Sequence, residues 1–180
     1  MSEKISFKVP TRDEVSTANQ EVFDHMLKAF GKTPNLYASF AWNDTALIDY
    51  LALQNRKSTL SAKEREVINL VVSQVNDCKY CVPAHTMLAG MLGYNEQQIL
   101  EIRRADISFD DKLDALAKFT KETVINRGRP SDKALELFYD AGYNAANLVD
   151  VMIIIGDKII SNYLHNITQI PVDWPAVPKI

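Results

Sequence analysis

The residues best equipped for chemistry lie together, in Cys78-Lys79-Tyr80-Cys81-Val82-Pro83-Ala84-His85. A deprotonated thiol is a strong nucleophile, and imidazole is the side-chain base that titrates nearest neutrality. Cys78, Cys81 and His85 are separated by three and then four positions. If Cys78 opens a helix, this spacing projects all three from one helical face. Two sulfurs so placed can form a disulfide without moving the rest of the fold. Pro83 fits the first turn, where its missing N–H costs little. The free N–H groups and the positive dipole end of that turn favour a thiolate. His85, one turn on, can exchange protons with Cys81. It can thereby activate a thiol that ordinarily titrates near ~8.5.

A second element must hold the histidine. The segment before the cysteines offers Glu64 and Glu66, with different expected parts. Ser61-Ala62-Lys63-Glu64 reads as a capping box, in which serine and glutamate satisfy each other's free backbone N–H groups. Glu66 lies one turn before Leu70, on a face that also carries apolar residues. A carboxylate there can face the cysteine helix, orient His85 and pass protons.

A C-x-x-C pair has other readings. It can be half of a zinc site or two inert buried cysteines, as well as a redox pair. Zinc requires two more ligands, for which His85 and a glutamate are the candidates. A structural zinc site normally takes Cys or His at all four positions. Redox chemistry is the preferred reading, with a redox switch that does not turn over as a further alternative. The thioredoxin arrangement is excluded, because the strand–helix alternation it needs is missing.

The remaining elements are helical. Val15, Val22, Phe23, Met26, Leu27 and Phe30 recur at helical spacing, and Gly31 stops them. A short helix is expected from Asn35 to Ala41, then one capped by Asp44 through Leu53. The capping-box helix should run to about Val75, with Asn76-Asp77 as its break. The cysteine helix ends near Gly93. Asn95, Asp110 or Asp111, Ser131 and Asn144 open four more, the last running through Leu164. The tail from Pro171 carries three prolines and should be extended. The expectation is one all-α domain over residues 1–180, of seven to nine helices, with a redox core at 61–92.

Composition limits the alternatives. With 180 residues the chain can bury one full-sized core. A net charge of -3 without a basic stripe gives no reason to expect nucleic acid. Met1 to Pro10 lacks the apolar core of a signal peptide. The most apolar run, Val149 to Ile155, contains Asp150 and is followed by Gly156-Asp157-Lys158. It falls short of the ~20 residues that span a bilayer and reads as a buried helix segment. Two cysteines three positions apart do not make a secreted disulfide scaffold, so a reducing, cytoplasmic setting is expected. No cofactor, metal or membrane is expected. His25 reads as a satisfied structural histidine. Met87 and Met91 read as packing or oligomer contacts, and Tyr37, Phe40 and Trp42 as core or pocket wall. Tyr80 is open between packing and a hydrogen bond into the site.

Glu66, an eleven-residue gap, Cys78-x-x-Cys81 and x-x-x-His85 together resemble the core of the AhpD-like alkylhydroperoxidases of the carboxymuconolactone decarboxylase superfamily. The wider likeness runs from about Ser61 to Leu92. It resumes at Asn162-Tyr163 and at Pro171-Val172-Asp173-Trp174-Pro175, which look like the ending of peroxidase-related members. The resemblance implies an all-helical homo-oligomer, commonly a trimer or hexamer. It implies that Cys81 attacks a hydroperoxide, that Cys78 resolves the sulfenic acid as a disulfide, and that Glu66 and His85 relay protons. A dithiol partner or a lipoyl-bearing protein would then reduce the disulfide. Tyr80 stands where AhpD carries a further relay histidine. His165-Asn166 reverses the order usual late in the last helix, and His165 is a lesser site candidate.

Overall fold

A computed structural model describes residues 7–180. Met1–Ser6, most of the segment read as lacking a signal peptide, lie outside the described residues. Among the described residues there are nine α-helices, one 3-10 turn and no strand. The chain divides into two compact units. The first comprises the chain up to Arg56 together with Leu164–Asp173, and the second Lys57–Tyr163 together with Trp174–Ile180.

The first unit holds α1 (Thr17–Phe30), α2 (Asn35–Phe40) and α3 (Ala46–Gln54), preceded by the 3-10 turn at Arg12–Glu14. Gly31 ends α1 with φ 73°, a left-handed conformation that glycine adopts without a Cβ clash. Val15, Phe23, Met26, Ala38, Ala41 and Leu47 form its core. Phe40 stacks on Tyr50 at 4.3 Å, so it fills this core, whereas Trp42 is half exposed. Two expectations are corrected. The start of α3 is capped by Asn43, not Asp44: its Oδ1 accepts from the N–H of Thr45 and of Ala46, both at 3.0 Å. An asparagine side chain two residues before an N–H has the right reach to close this turn. His25 is exposed, because its face of α1 is turned away from Phe23 and Met26.

The second unit contains α4 (Ala62–Val75), α5 (Cys81–Met91), α6 (Glu96–Arg104), α7 (Asp111–Ile125), α8 (Asp132–Asp140) and most of α9 (Ala145–Thr168). Its core is built on α4, which packs against α5, α6 and α7. Val67, Ile68, Leu70, Val71 and Val72 are all fully buried. A helix apolar on nearly every side is an interior helix. Any polar residue it carries inward must therefore be matched by a partner.

The caps fix where α4 begins and ends. Ser61 Oγ accepts the Glu64 N–H at 3.2 Å, and Glu64 Oε2 accepts the Ser61 N–H at 2.8 Å, completing the expected capping box. At the other end Asp77 takes φ 48°, and the Cys78 N–H donates to the Ser73 carbonyl at 3.0 Å while the Asp77 N–H donates to Gln74 at 3.1 Å. These two bonds form a Schellman motif, in which aspartate tolerates the left-handed position better than most residues. The helix therefore stops at Val75, two residues short of Cys78, and holds that cysteine's backbone against its own last turn.

Candidate active site

The connection between α4 and α5 carries the first cysteine, and α5 carries the second. Cys78 lies in the turn and Cys81 is the first residue of α5, with Tyr80 at the cap position. This corrects the expectation that Cys78 opens the helix. The Schellman closure of α4 consumes Cys78, so only Cys81 and His85 share a face of α5 by helical spacing. The pair still meets: Cys78 and Cys81 form a disulfide, with Cα atoms 5.3 Å apart. The Cys81 N–H, one of the free donors at the start of α5, points at Cys78 Sγ at 3.1 Å. Both cysteines are buried, Cys78 fully and Cys81 to within 3%.

Glu66 is buried on α4, and its Oε1 lies 2.6 Å from His85 Nδ1. Its other oxygen accepts from Asn69 Nδ2 at 3.0 Å, one turn further along the same helix. A short bond to an ionised carboxylate is among the stronger polar contacts a protein makes. Burial by itself pushes the Glu66 carboxyl up. The opposing charge and hydrogen bond of His85, the Asn69 bond and the Lys158 charge outweigh it and hold the group below its usual range. Glu66 is thus a carboxylate, and His85 Nδ1 carries the proton between them.

On the far side of the imidazole, Lys158 of α9 places its Nζ 3.3 Å from His85 Nε2. Asp157 Oδ2 lies 3.3 Å from the same ammonium. Lys158 is 3% exposed and Asp157 8%. The sequence offered a signal for both, since a charged pair inside an apolar helix is costly unless matched. That signal served only to reject a membrane span. Asn69, Lys158 and Asp157 were not among the expected site residues.

The other candidates take separate places. Tyr80 is buried edge-on to Trp174, with ring centroids 6.4 Å apart. Glu64 stays with the cap, as expected. The His165 ring, buried in the last turns of α9, faces the Ile170 carbonyl with Nε2 at 3.3 Å. Among the described residues, no group of three or more His, Cys, Asp or Glu is placed to hold a metal ion. Among the same residues, no helix is long and apolar enough to cross a membrane.

The depressed Glu66 carboxyl makes a pH prediction. Its folded value lies below its unfolded value. Its stabilisation is therefore complete above the ordinary carboxylate range and is lost as pH falls through the lower, folded value. Urea midpoints measured from neutral pH downward should drop across that window, and Glu66→Gln should flatten the drop. An identical acid limb in the variant would remove Glu66 from the account.

Known proteins share this arrangement of helices. Residues 38–122 match the sequence model of the carboxymuconolactone decarboxylase family. A peroxidase-related protein from Silicibacter sp. TM1040 is 22% identical, with TM-score 0.81, over 94% of this chain and 93% of its own. An AhpD-core, peroxidase-related protein from Ralstonia eutropha JMP134 is 17% identical, with TM-score 0.83, over 96% and 94%. A debrominase whose structure holds 2,3,4-tribromopyrrole is 12% identical, with TM-score 0.77, over 96% and 93%. No curated protein sequence matches the chain.

Proposed function

We propose that this chain is a thiol-dependent hydroperoxidase working through Cys78 and Cys81, a reading supported by the match of residues 38–122 to the carboxymuconolactone decarboxylase family and by the AhpD-like fold. The observation that carries the reading is the 2.6 Å contact between Glu66 of α4 and His85 of α5, the histidine lying one turn beyond Cys81, which is already paired with Cys78. A buried carboxylate–imidazole pair placed there serves proton transfer at a thiol.

The Cys81 thiol gives its proton to His85, and the thiolate attacks the terminal oxygen of a hydroperoxide. The O–O bond breaks, an S–O bond forms, and the alkoxide leaves as an alcohol with the proton from His85. Cys81 is then a sulfenic acid, oxidised by two electrons. The Cys78 thiol attacks that sulfur, water departs, and the Cys78–Cys81 disulfide forms. An external dithiol, free or lipoyl-bearing, reduces the disulfide and is itself oxidised to a cyclic disulfide. A reducing cytoplasm supplies such donors. Cys81 takes the attacking role because it lies on the helix of His85, one turn before it, and is the less fully buried of the two residues. The Cys81 N–H favours negative charge on Cys78, which the resolving thiol also needs.

The test is steady-state peroxide consumption with a panel of dithiol donors, comparing wild type with Cys78→Ser. Catalytic consumption lost in the variant, with a sulfenic acid trapped on Cys81, supports the cycle. One oxidation per chain without turnover in wild type would instead make the pair a redox switch.

A homo-oligomer, trimer or hexamer, belongs to the same proposal. Val149, Met152, Ile160 and Tyr163 are exposed large apolar residues on one face of α9. A Cβ at Gly156, between them, would meet nothing within 4 Å, so a second helix can approach closely there. Ile160→Glu should lower the mass measured by light scattering. An unchanged mass would exclude this face from the contact.

A further inference from the structure

We infer that Lys158 is a positioning residue for the proton relay: its ammonium, buried against His85 Nε2, keeps that nitrogen unprotonated and so keeps His85 available as a base. The inference rests on the relay reading of Glu66 and His85 and deepens it.

Donors and acceptors decide the state of the ring. Glu66 is an acceptor, so His85 Nδ1 is the protonated nitrogen in their 2.6 Å contact. A lysine ammonium has three donors and no acceptor. At 3.3 Å from Lys158 Nζ, Nε2 must therefore present its lone pair. A second ring proton would set an N–H against the ammonium in a site with little water to screen it.

Two opposite pulls act on the ring. The Glu66 charge on the α4 side favours a doubly protonated imidazolium. Such an imidazolium, locked to its carboxylate, cannot take the Cys81 proton. The Lys158 charge on the α9 side opposes it, and Asp157 at 3.3 Å keeps that charge paired. On the ring's own segment Cys78 and Cys81 are joined in the oxidised state, Tyr80 is buried against Trp174 and Lys79 is exposed. A lysine is rarely buried to 3% exposure without such a role for its partners.

The closing experiment reads the ring directly. Long-range proton–nitrogen NMR at neutral pH distinguishes a lone-pair nitrogen from an N–H. The chain has three histidines, so His85→Gln assigns the signal. Wild type should show Nδ1–H and an unprotonated Nε2. Lys158→Met should show N–H at both positions, and Lys158→Arg should restore the wild-type pattern. The double variant Asp157→Asn/Lys158→Met removes both charges and replaces the single variant if that one does not fold. Peroxide turnover of Lys158→Met should fall about tenfold to a hundredfold at neutral pH and recover in part as pH rises, because raising pH strips the extra proton. A purely structural role would lower the rate equally at every pH. An Nε2–H in wild type, or the same ring state with and without Lys158, overturns the inference. The spectrum is read whether or not peroxide is consumed, so failure of the peroxidase reading leaves a distinct result.

Discussion

Cys81→Ser should abolish thiol-dependent peroxide consumption, a loss of at least about a hundredfold and in practice to the background of the uncatalysed reaction. A serine hydroxyl is far too weak an acid to be ionised by His85, and its oxygen does not accept an oxygen atom from a peroxide. The fold should survive. The exchange is nearly isosteric at the first residue of α5, where serine is well tolerated, and α5 has no other dependence on the sulfur than its bond to Cys78. Far-UV circular dichroism and a urea titration under reducing conditions would establish that. Cys78→Ser differs in kind. It should still react once with peroxide and stop, because the sulfenic acid has no intramolecular thiol to meet. If Cys81→Ser retains the single oxidation and Cys78→Ser loses it, the roles of the two sulfurs are exchanged. That outcome has a physical basis, since the Cys81 N–H is aimed at Cys78.

Glu66 should show the next largest effects, and two substitutions separate them. Glu66→Gln keeps the shape and an acceptor oxygen but removes the charge. It should lower turnover by roughly 10²- to 10⁴-fold, the range for loss of a positioned acid–base group. Glu66→Ala also empties the space between Asn69 and His85. It leaves the His85 Nδ1–H and the Asn69 amide without their buried acceptor. An unsatisfied buried donor costs about 1–3 kcal/mol, so this variant should unfold at lower urea. Stability within about 1 kcal/mol of wild type would mean that water reaches the site and screens it. A Glu66→Gln variant with unimpaired turnover would take Glu66 out of the chemistry and leave it a structural partner of His85.

The two effects share a cause in the way α4 is built. Its apolar residues commit it to the interior, and its capping box commits its start to Ser61. Glu66 is carried inward by those commitments, and the energy that buries it comes from its neighbours. The site is therefore expensive to alter in proportion to its depth. The apolar face of α9 proposed as an oligomer contact is, by contrast, exposed, and substitutions there should change mass more than folding.

Much of the fold was legible because it is local. Helix starts at Ser61, Asn95, Asp110, Ser131 and Asn144 follow from side chains that reach N–H groups two or three residues on. The Asp44 expectation failed within that same logic, by one residue, because Asn43 and Asp44 are both competent caps and only the backbone turn chooses between them. The placement of Cys78 failed for a related reason. The Schellman bond from Cys78 to Ser73 competes with opening a new helix, and spacing alone does not say which wins.

The amino-acid sequence determined the cysteine pair, its histidine one turn on, the helical class and the assignment of Glu64 to the cap and Glu66 to the interior. Each depends on contacts within a turn or across one short connection, where helical geometry fixes neighbours from numbering. Tertiary structure alone decided that Lys158 meets His85 across 73 positions, that Asp157 pairs with that lysine, and that Tyr80 turns to Trp174. Such neighbours follow from how α9 packs on the helices before it. That packing is set by the summed shape of many apolar side chains, and no local spacing encodes it.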